Sequence, residues 1–250
     1  LARGVSVESM FAALLARGTS GSAGRRMPDF PCDRALNILS TPTLVGNNAL
    51  QAAGVAAAVK DRDGAPVVYC GLGDGATQEG EFFEAVAEAV RSTLPVLFVV
   101  QDNRYALSTL TAGQTFYSTP DGNPETFYGL PIRRVEGADV AACHDTFGAA
   151  VADAREHRRP QIVCMRCERL QSHTNADDHT AYRKEEELAE AAEHGDPLRN
   201  LERLLIEGGE DASRLRAIEE ECGQAVQDAL AAARAGAEPE AALSAKKPLP

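Results

Sequence analysis

The sequence lacks any apolar run long enough to cross a bilayer; its longest, Leu94 to Val100, has the length of a strand. No charged-then-apolar leader opens the chain, and it begins at Leu1 rather than Met, so a missing natural N-terminus is expected. It also lacks an excess of basic charge. Lys and Arg number 25 against 37 Asp and Glu, a net charge of −12, which argues against a nucleic-acid-binding surface. A disulfide framework is missing too. The six cysteines (Cys32, Cys70, Cys143, Cys164, Cys167 and Cys222) are scattered, and Cys70, Cys164 and Cys167 lie in apolar strand patterns where thiols behave as small hydrophobes. Cys164-x-x-Cys167 has no second pair and does not read as a zinc or redox motif. These features suit a reducing cytoplasm.

What is present is a 250-residue chain with 44% hydrophobic residues, enough for a sizeable core in one large domain with or without an appendage. A helix over Ser6 to Ala16, stopped by Gly18, precedes a Gly/Ser/Pro-rich loop to Asp33 that is locally basic at Arg25 and Arg26. Leu36 to Val45 reads as extended around Pro42. Asn47 or Asn48 then caps a small-residue helix, Ala49 to Lys60. Buried strands are expected over Ala65–Leu72, Pro95–Val100 and Pro160–Cys167, with a short one at Ile132–Val135. Helices are expected from Gln78 to Arg91 and from an Asp139 cap to His157. His144 and His157 read as surface residues of the latter. Strand and helix in alternation imply a parallel α/β sheet flanked by helices. Leu110 to Tyr128, aperiodic and rich in Gly and Pro, reads as a long loop of the kind that serves as a lid. The C-terminal region is helical: Asp196-Pro197 opens one helix with a Leu198, Leu201, Leu204 and Leu205 stripe, and another runs from Ser213 to Ala235. The expected organisation is an α/β domain over 1–183, a helical region over 184–235 and a linker over 236–250.

The chemistry concentrates in Val67 to Thr109. Gly73-Asp74-Gly75 is a turn at a strand's carboxyl end, and Asp102, Asn103 and Tyr105 follow the next strand. Such loops share a ligand crevice in an open parallel sheet. A carboxylate and a carboxamide from two of them are hard oxygen donors suited to Mg²⁺, and backbone N–H groups near Gly75 and Ala76 suit phosphate. Gly71 to Ala76 also matches the dinucleotide fingerprint, but an acid inside that loop repels a bare pyrophosphate unless a metal neutralises it. His173, in the polar loop Arg169–Arg183 at another strand's end, is a candidate for acid–base or phosphate contact. Asp177-Asp178 reads as solvated or capping.

These residues carry a resemblance. Gly73-Asp74-Gly75, Glu79-Gly80, Glu84-Ala85, Leu94-Pro95 and Asp102-Asn103-x-Tyr105-Ala106-x-Ser108 resemble the alpha subunit of thiamine-diphosphate-dependent 2-oxo acid dehydrogenases. These are the decarboxylating components of the pyruvate, branched-chain 2-oxo acid and acetoin complexes. Upstream the match includes Gly24-Arg25-Arg26-Met27-Pro28 and Leu44-Val45-Gly46. Downstream it includes Tyr128-Gly129-Leu130-Pro131, Val135-Glu136-Gly137-x-Asp139-Val140, and Ser172-His173-Thr174-x-Ala176-Asp177-Asp178 with Tyr182-Arg183. The resemblance implies a thiamine-diphosphate-binding fold with Mg²⁺ held by Asp74, Asn103 and the Tyr105 carbonyl. It places Gly75 and Ala76 at the diphosphate, Gly73 and Ala106 among the cofactor-binding residues, Val45 at the aminopyrimidine end and His173 as the active-site histidine. The implied reaction is oxidative decarboxylation of a small 2-oxo acid, branched-chain favoured, with acyl transfer to a lipoyl-bearing acyltransferase. A beta subunit or fused beta half, two alpha with two beta, would supply the activating glutamate. This sequence has Asp102-Asn103 where the family usually has Asn-Asn, and Gln171-Ser172 before the histidine. The family's diphosphate-clamping Tyr-Arg precedes the first helix, so a fragment, or a clamp from another chain, is expected. The readings that compete are a non-catalytic assembly subunit and an NAD-binding protein.

Overall fold

A computed structural model describes residues 1–25, 32–40 and 43–241. Arg26, Met27, Pro28 and Pro42, and the segment 242–250 holding most of the expected linker, lie outside the described residues. The chain forms two compact units, Leu44–Gly208 and Leu1–Thr43 with Gly209–Pro250. The smaller unit opens with α1 (Val7–Leu14), whose N-cap Ser6 accepts from the Ser9 N–H. The helix does not wait for Gly18. Ala16 turns left-handed at φ 51, and Arg17 N–H returns 2.8 Å to the Ala12 carbonyl. Those bonds satisfy carbonyls of the last turn that would otherwise lack partners.

The larger unit runs through α2 (Asn48–Val59), β1 (Val68–Gly73), a 3₁₀ turn at Gly75–Gln78, α3 (Gly80–Arg91) and β2 (Val96–Asp102). Next come the hairpin strands β3 (Tyr105–Ala106) and β4 (Thr109–Leu110), then β5 (Thr126–Phe127), β6 (Leu130–Glu136), α4 (Val140–His157) and β7 (Gln161–Arg166). It closes with α5 (Glu185–His194) and α6 (Pro197–Glu207). The asparagines at the start of α2 make no capping side-chain bond. Asn47 Nδ2 donates to Glu81 at 3.1 Å and Asn48 Nδ2 to the Gly71 carbonyl at 2.8 Å, tying the helix to α3 and β1. α3 starts two residues later than expected because Gly75–Gln78 closes as a separate turn and Glu79 is extended. Asp139 caps α4 through the Ala142 N–H, and Asp196 caps α6 through Leu198 N–H, as the sequence implies.

The sheet order is β1-β2-β7-β6-β5, with the first four strands parallel and β5 antiparallel to β6. The parallel α/β architecture is therefore as expected. β2, buried from Val96 to Val100, is an interior strand, whereas β1 lies at the sheet's edge. That position leaves Tyr69 60% exposed, so β1 is not the uniformly buried strand its composition implies. The chain steps one way from β1 to β2 and back the other way from β6 to β7. The sheet's switch point thus falls between the carboxyl ends of β2 and β7, the usual place for a ligand crevice.

On one face, α2 and α3 cover the sheet around Phe82, which stacks on Phe116 at 5.2 Å and meets Phe98 edge-on at 5.9 Å. On the other, α4 packs on Leu97, Val99, Val135 and Val163. Phe116 and Tyr117 are buried, so the segment 111–128 is anchored in the core rather than free as a lid. The α6 stripe turns partly outward, with Leu198 75% exposed. In the smaller unit α7 (Ala212–Ala235) packs on α1. Its expected stripe is also largely uncovered, and Ala233 is its buried residue.

Candidate functional site

β1 delivers Asp74 to the sheet's carboxyl edge. The carboxylate is 2% exposed, and its side-chain partner is a neutral hydroxyl, Thr111 Oγ1, donating to Oδ2 at 2.7 Å. No Lys or Arg among the described residues forms an ion pair with it. Burial raises its carboxyl above the ordinary range, Thr111 opposes that, and the nearby charge of Asp102 adds to it. The turn is packed tightly against the loop beyond β2: a Cβ on Gly75 would lie 2.6 Å from Ala106 Cβ. Gly73 faces open space. Gly46, at φ 81, lets the Val45 loop press on the start of α3, where a Cβ would meet Glu79 Cβ at 2.7 Å. Val45 itself is 61% exposed, an apolar side chain held out beside this turn.

The loop beyond β2 is shaped by its own side chains. Asp102 Oδ1 accepts from Arg104 N–H and Asn103 Oδ1 from Tyr105 N–H, both at 3.0 Å, local bonds that hold short polar residues in tight turns. Arg104 takes a left-handed φ of 71. The expected polar loop is thus a hairpin, with Tyr105 opposite Leu110 and Ala106 opposite Thr109. The Tyr105 ring is buried, and its hydroxyl donates to Glu187 at 2.9 Å.

His173 lies in an exposed loop. Its backbone N–H donates to Asp177 Oδ2 at 2.7 Å, and Tyr182 Oη donates to the same oxygen. Asp177 is therefore a loop organiser rather than a merely solvated acid; the backbone N–H and then the Tyr182 hydroxyl hold its carboxyl below the ordinary range. The structure does not join His173 to Asp74 or Asn103 by a hydrogen bond. It does join the bases of their loops. Arg169 donates to the Leu107 carbonyl at 2.9 Å, and Arg104 pairs with Glu168 at 2.6 Å. Arg183, its side chain 1% exposed, binds Glu187 at 2.9 Å and the Arg169 carbonyl at 2.6 Å. Sequence reasoning missed Thr111, Arg104, Glu168 and Glu187. Only the strand-end position of Glu168 hinted at a role.

These residues fit a divalent cation with a phosphate ligand. A buried carboxylate without a cationic partner, a second carboxylate within electrostatic reach and a carboxamide are hard oxygen donors. No cluster of three or more His, Cys, Asp or Glu fit to hold a metal occurs among the described residues. A cation here would therefore draw on Asp74, Asn103, backbone oxygen and the phosphate itself. A separate cavity of about 180 Å³ lies at the ends of β6 and β7, lined by Arg104, Glu136, Arg166, Glu168 and Glu187 among others. It contains none of the proposed cation ligands. Among the described residues no helix is long and apolar enough to cross a membrane.

Comparison with known proteins gives a consistent result. The family described as dehydrogenase E1 component matches residues 1–242. The chain is 39% identical over 145 residues to a 3-methyl-2-oxobutanoate dehydrogenase subunit alpha of Mycobacterium tuberculosis, covering 58% of this chain and 39% of that one. It is 34% identical over 175 residues to a pyruvate dehydrogenase E1 component subunit alpha of Staphylococcus aureus, covering 70% and 47%. Against the mitochondrial somatic-form pyruvate dehydrogenase E1 component subunit alpha of Sus scrofa, identity is 29% over 242 residues, covering 95% and 60%. The matched stretches thus span 39% to 60% of these relatives' own lengths.

Proposed function

The chain belongs to the dehydrogenase E1 component family, and from that premise we propose that it is the alpha part of a thiamine-diphosphate-dependent 2-oxo acid dehydrogenase. The observation that carries the reading is Asp74: a carboxylate 2% exposed, at a turn pressed on Ala106, facing a second acid and no basic partner. Burial of such a charge is costly unless a counter-charge arrives, and Mg²⁺ supplies one. Asp74, Asn103 and the Tyr105 carbonyl hold the cation; Gly73, Gly75, Ala76 and Ala106 line the diphosphate; Val45 offers apolar surface to the aminopyrimidine. Thiamine diphosphate, when bound, supplies the stabilised carbanion chemistry that decarboxylation of a 2-oxo acid requires. The protein's part is to orient that group and keep water from it. His173, on a loop organised by Asp177 and Tyr182, has in this reading the role of holding or moving a proton.

The substrate is a branched-chain 2-oxo acid, a choice supported by the 39% identity to a chain named for 3-methyl-2-oxobutanoate. Partners are a beta subunit or beta half, in a two-alpha, two-beta assembly, and a lipoyl-bearing acyltransferase that takes the acyl group. The site is cytoplasmic, and residues 1–183 carry the cofactor-binding work.

Calorimetry with thiamine diphosphate and Mg²⁺, in the presence of the beta partner, tests the cofactor. Binding is expected to require Mg²⁺ and to weaken by more than about a hundredfold in Asp74→Asn, since an ionic ligand is lost. Unchanged affinity places the metal elsewhere. Carbon dioxide release from 3-methyl-2-oxobutanoate should exceed that from pyruvate; the reverse order overturns the substrate assignment. An NAD-binding protein would instead bind its dinucleotide without metal.

A further inference from the structure

The cavity at the ends of β6 and β7 backs onto the loop beyond β2 without containing the proposed cation ligands. At about 180 Å³ it is smaller than the roughly 300–1,000 Å³ of sites for drug-sized molecules, so it suits a small metabolite. Four carboxylates line it, Glu136, Glu168, Glu187 and Glu190, together with Arg104 and Arg166. Two of the four are neutralised within the protein. Arg104 pairs with Glu168 at 2.6 Å, and the buried Arg183 pairs with Glu187 at 2.9 Å. Glu136, Glu190 and Arg166 remain.

Glu136 and Arg166 stand opposite each other in the register of β6 and β7, one strand spacing, about 4.8 Å, apart. Opposite charges so placed ordinarily pair across the strands. These two form no ion pair with each other among the described residues. Arg166 reaches Glu168 instead, at 4.0 Å, beyond hydrogen-bonding distance, and its Nε is buried without a partner. The side chains of Glu136 and Glu190 make no ion pair or hydrogen bond among the described residues. The last turn of α5, at Ala191, His194 and Gly195, forms another part of the wall and brings the partial negative charge of a helix carboxyl end. Negative charge from Glu136, Glu190 and α5 is thus held apart from positive charge on Arg166. A lone cation would meet Arg166 and a lone anion the two glutamates, whereas a zwitterion satisfies both. Ala138, Ala191 and Cys167 add a small, weakly polar surface for aliphatic carbon.

We propose that this cavity binds a small aliphatic α-amino acid, its ammonium on Glu136 and Glu190 and its carboxylate on Arg166, and that occupancy is felt at the loop beyond β2. Arg104 and Glu187 carry the second half. Arg104 lies between Asn103 and Tyr105, holds a left-handed φ of 71 and lines the cavity. Glu187, also in the wall, accepts from the Tyr105 hydroxyl at 2.9 Å. An occupant that draws on either residue therefore moves the loop that offers Asn103 and the Tyr105 carbonyl. An α-amino acid is what a 2-oxo acid becomes on transamination, so the ligand would report the supply of the substrate's own carbon skeleton. That second half rests on the proposed function; the binding of the amino acid does not.

The experiment is calorimetry of the full chain, without metal or cofactor, against L-leucine and two truncated probes: 3-methylbutylamine, which lacks the carboxylate, and 4-methylpentanoate, which lacks the amine. Leucine is expected to bind, and each truncated probe to bind about tenfold more weakly or worse, because one charged partner is then left unmet. Glu136→Gln and Arg166→Gln should each weaken leucine binding by about tenfold, with Glu190→Gln, on the exposed side of α5, as the variant least able to disturb the fold. No heat with leucine overturns the proposal. So does amine or acid alone binding as tightly as leucine, which would make this a plain cation or anion site, and so does leucine affinity unchanged in all three variants. The second half is read by repeating the titration of thiamine diphosphate and Mg²⁺, with the beta partner present, in saturating leucine. An affinity change of about fivefold or more is expected, and unchanged affinity overturns the coupling. Leucine binding to a chain that binds no cofactor would sink the proposed function and leave the amino-acid site standing, whereas cofactor binding without leucine binding does the reverse.

Discussion

Replacing Arg183 by Met tests whether the loop bearing His173 is held by charge or by packing. The Arg183 side chain is 1% exposed, while its partners Glu187 and Glu168 are 20% and 21% exposed, at 2.9 and 3.7 Å. Breaking a buried ion pair by removing one partner costs about 3–5 kcal/mol, because a charge is left behind. Two features reduce that here. Arg104 still lies 2.6 Å from Glu168 and 3.6 Å from Glu187, and both acids retain some water contact. The lost bond to the Arg169 carbonyl adds about 1 kcal/mol. The net expectation is about 3 kcal/mol at pH 7, read as a shift of the urea midpoint with unchanged slope. The pH dependence gives a second handle. Burial favours protonated Glu187, but the hydrogen bonds from Arg183 and Tyr105 outweigh it and hold its carboxyl below the ordinary 4.5. A carboxyl whose folded pKa is depressed contributes stability that is complete above its unfolded pKa and is lost as pH falls through the folded one. The difference between wild type and Arg183→Met should therefore be largest near neutrality and shrink below pH 4.5. A loss under about 1 kcal/mol at pH 7, or one that grows on acidification, refutes this account of the network.

Three further outcomes follow from the geometry. Gly75→Ala places a Cβ 2.6 Å from Ala106 Cβ, so it should push the turn off the loop beyond β2 and weaken Mg²⁺-dependent cofactor binding at least tenfold, on the order expected for disturbed metal support; calorimetry reads it. Phe82→Ala removes a fully buried ring that contacts Phe98, Phe116 and Phe127. It should cost about 3–5 kcal/mol in chemical denaturation. Thiol labelling of the folded protein at pH 8 should modify the exposed Cys32 and Cys222 quickly. Cys70 and Cys164, pushed up by burial to about 12, should react only on unfolding, as mass spectrometry of the labelled peptides can show.

The sheet was legible because its strands are runs of apolar, β-branched residues, and Val96–Val100 cannot be satisfied except in an interior. Asp74 and Asn103 were legible because acids and amides at strand ends stand out against such runs. The rest depended on distance in sequence. Thr111 reaches Asp74 across 37 positions and Arg104 reaches Glu168 across 64, and no local pattern encodes either pairing. Helix ends were misread where a side chain had a better use elsewhere: Asn47 bonds Glu81 instead of capping, and Ala16 takes a turn usually left to glycine. The stripes of α6 and α7 have helical period without being covered, because periodicity reports what a helix is able to bury and not what lies against it.

The pairing of β2 with β7 has a consequence for how the site tolerates change. Asp102 stands opposite Arg166, and Cys167 N–H donates to the Asp102 carbonyl at 2.9 Å. The loop with Asn103 and the loop with His173 therefore leave the sheet at the same height, one strand spacing apart. Strand spacing is nearly invariant, about 4.8 Å, so it serves as a fixed ruler between two otherwise independent loops. Residues inserted between Arg169 and His173 change the reach of the histidine and leave the strand register as it is. A single residue added within Gln161–Arg166 would move the second loop's origin along the strand and turn its side chains to the opposite face. Variation in length should thus be confined to one side of Arg166, which makes that residue the line between scaffold and instrument.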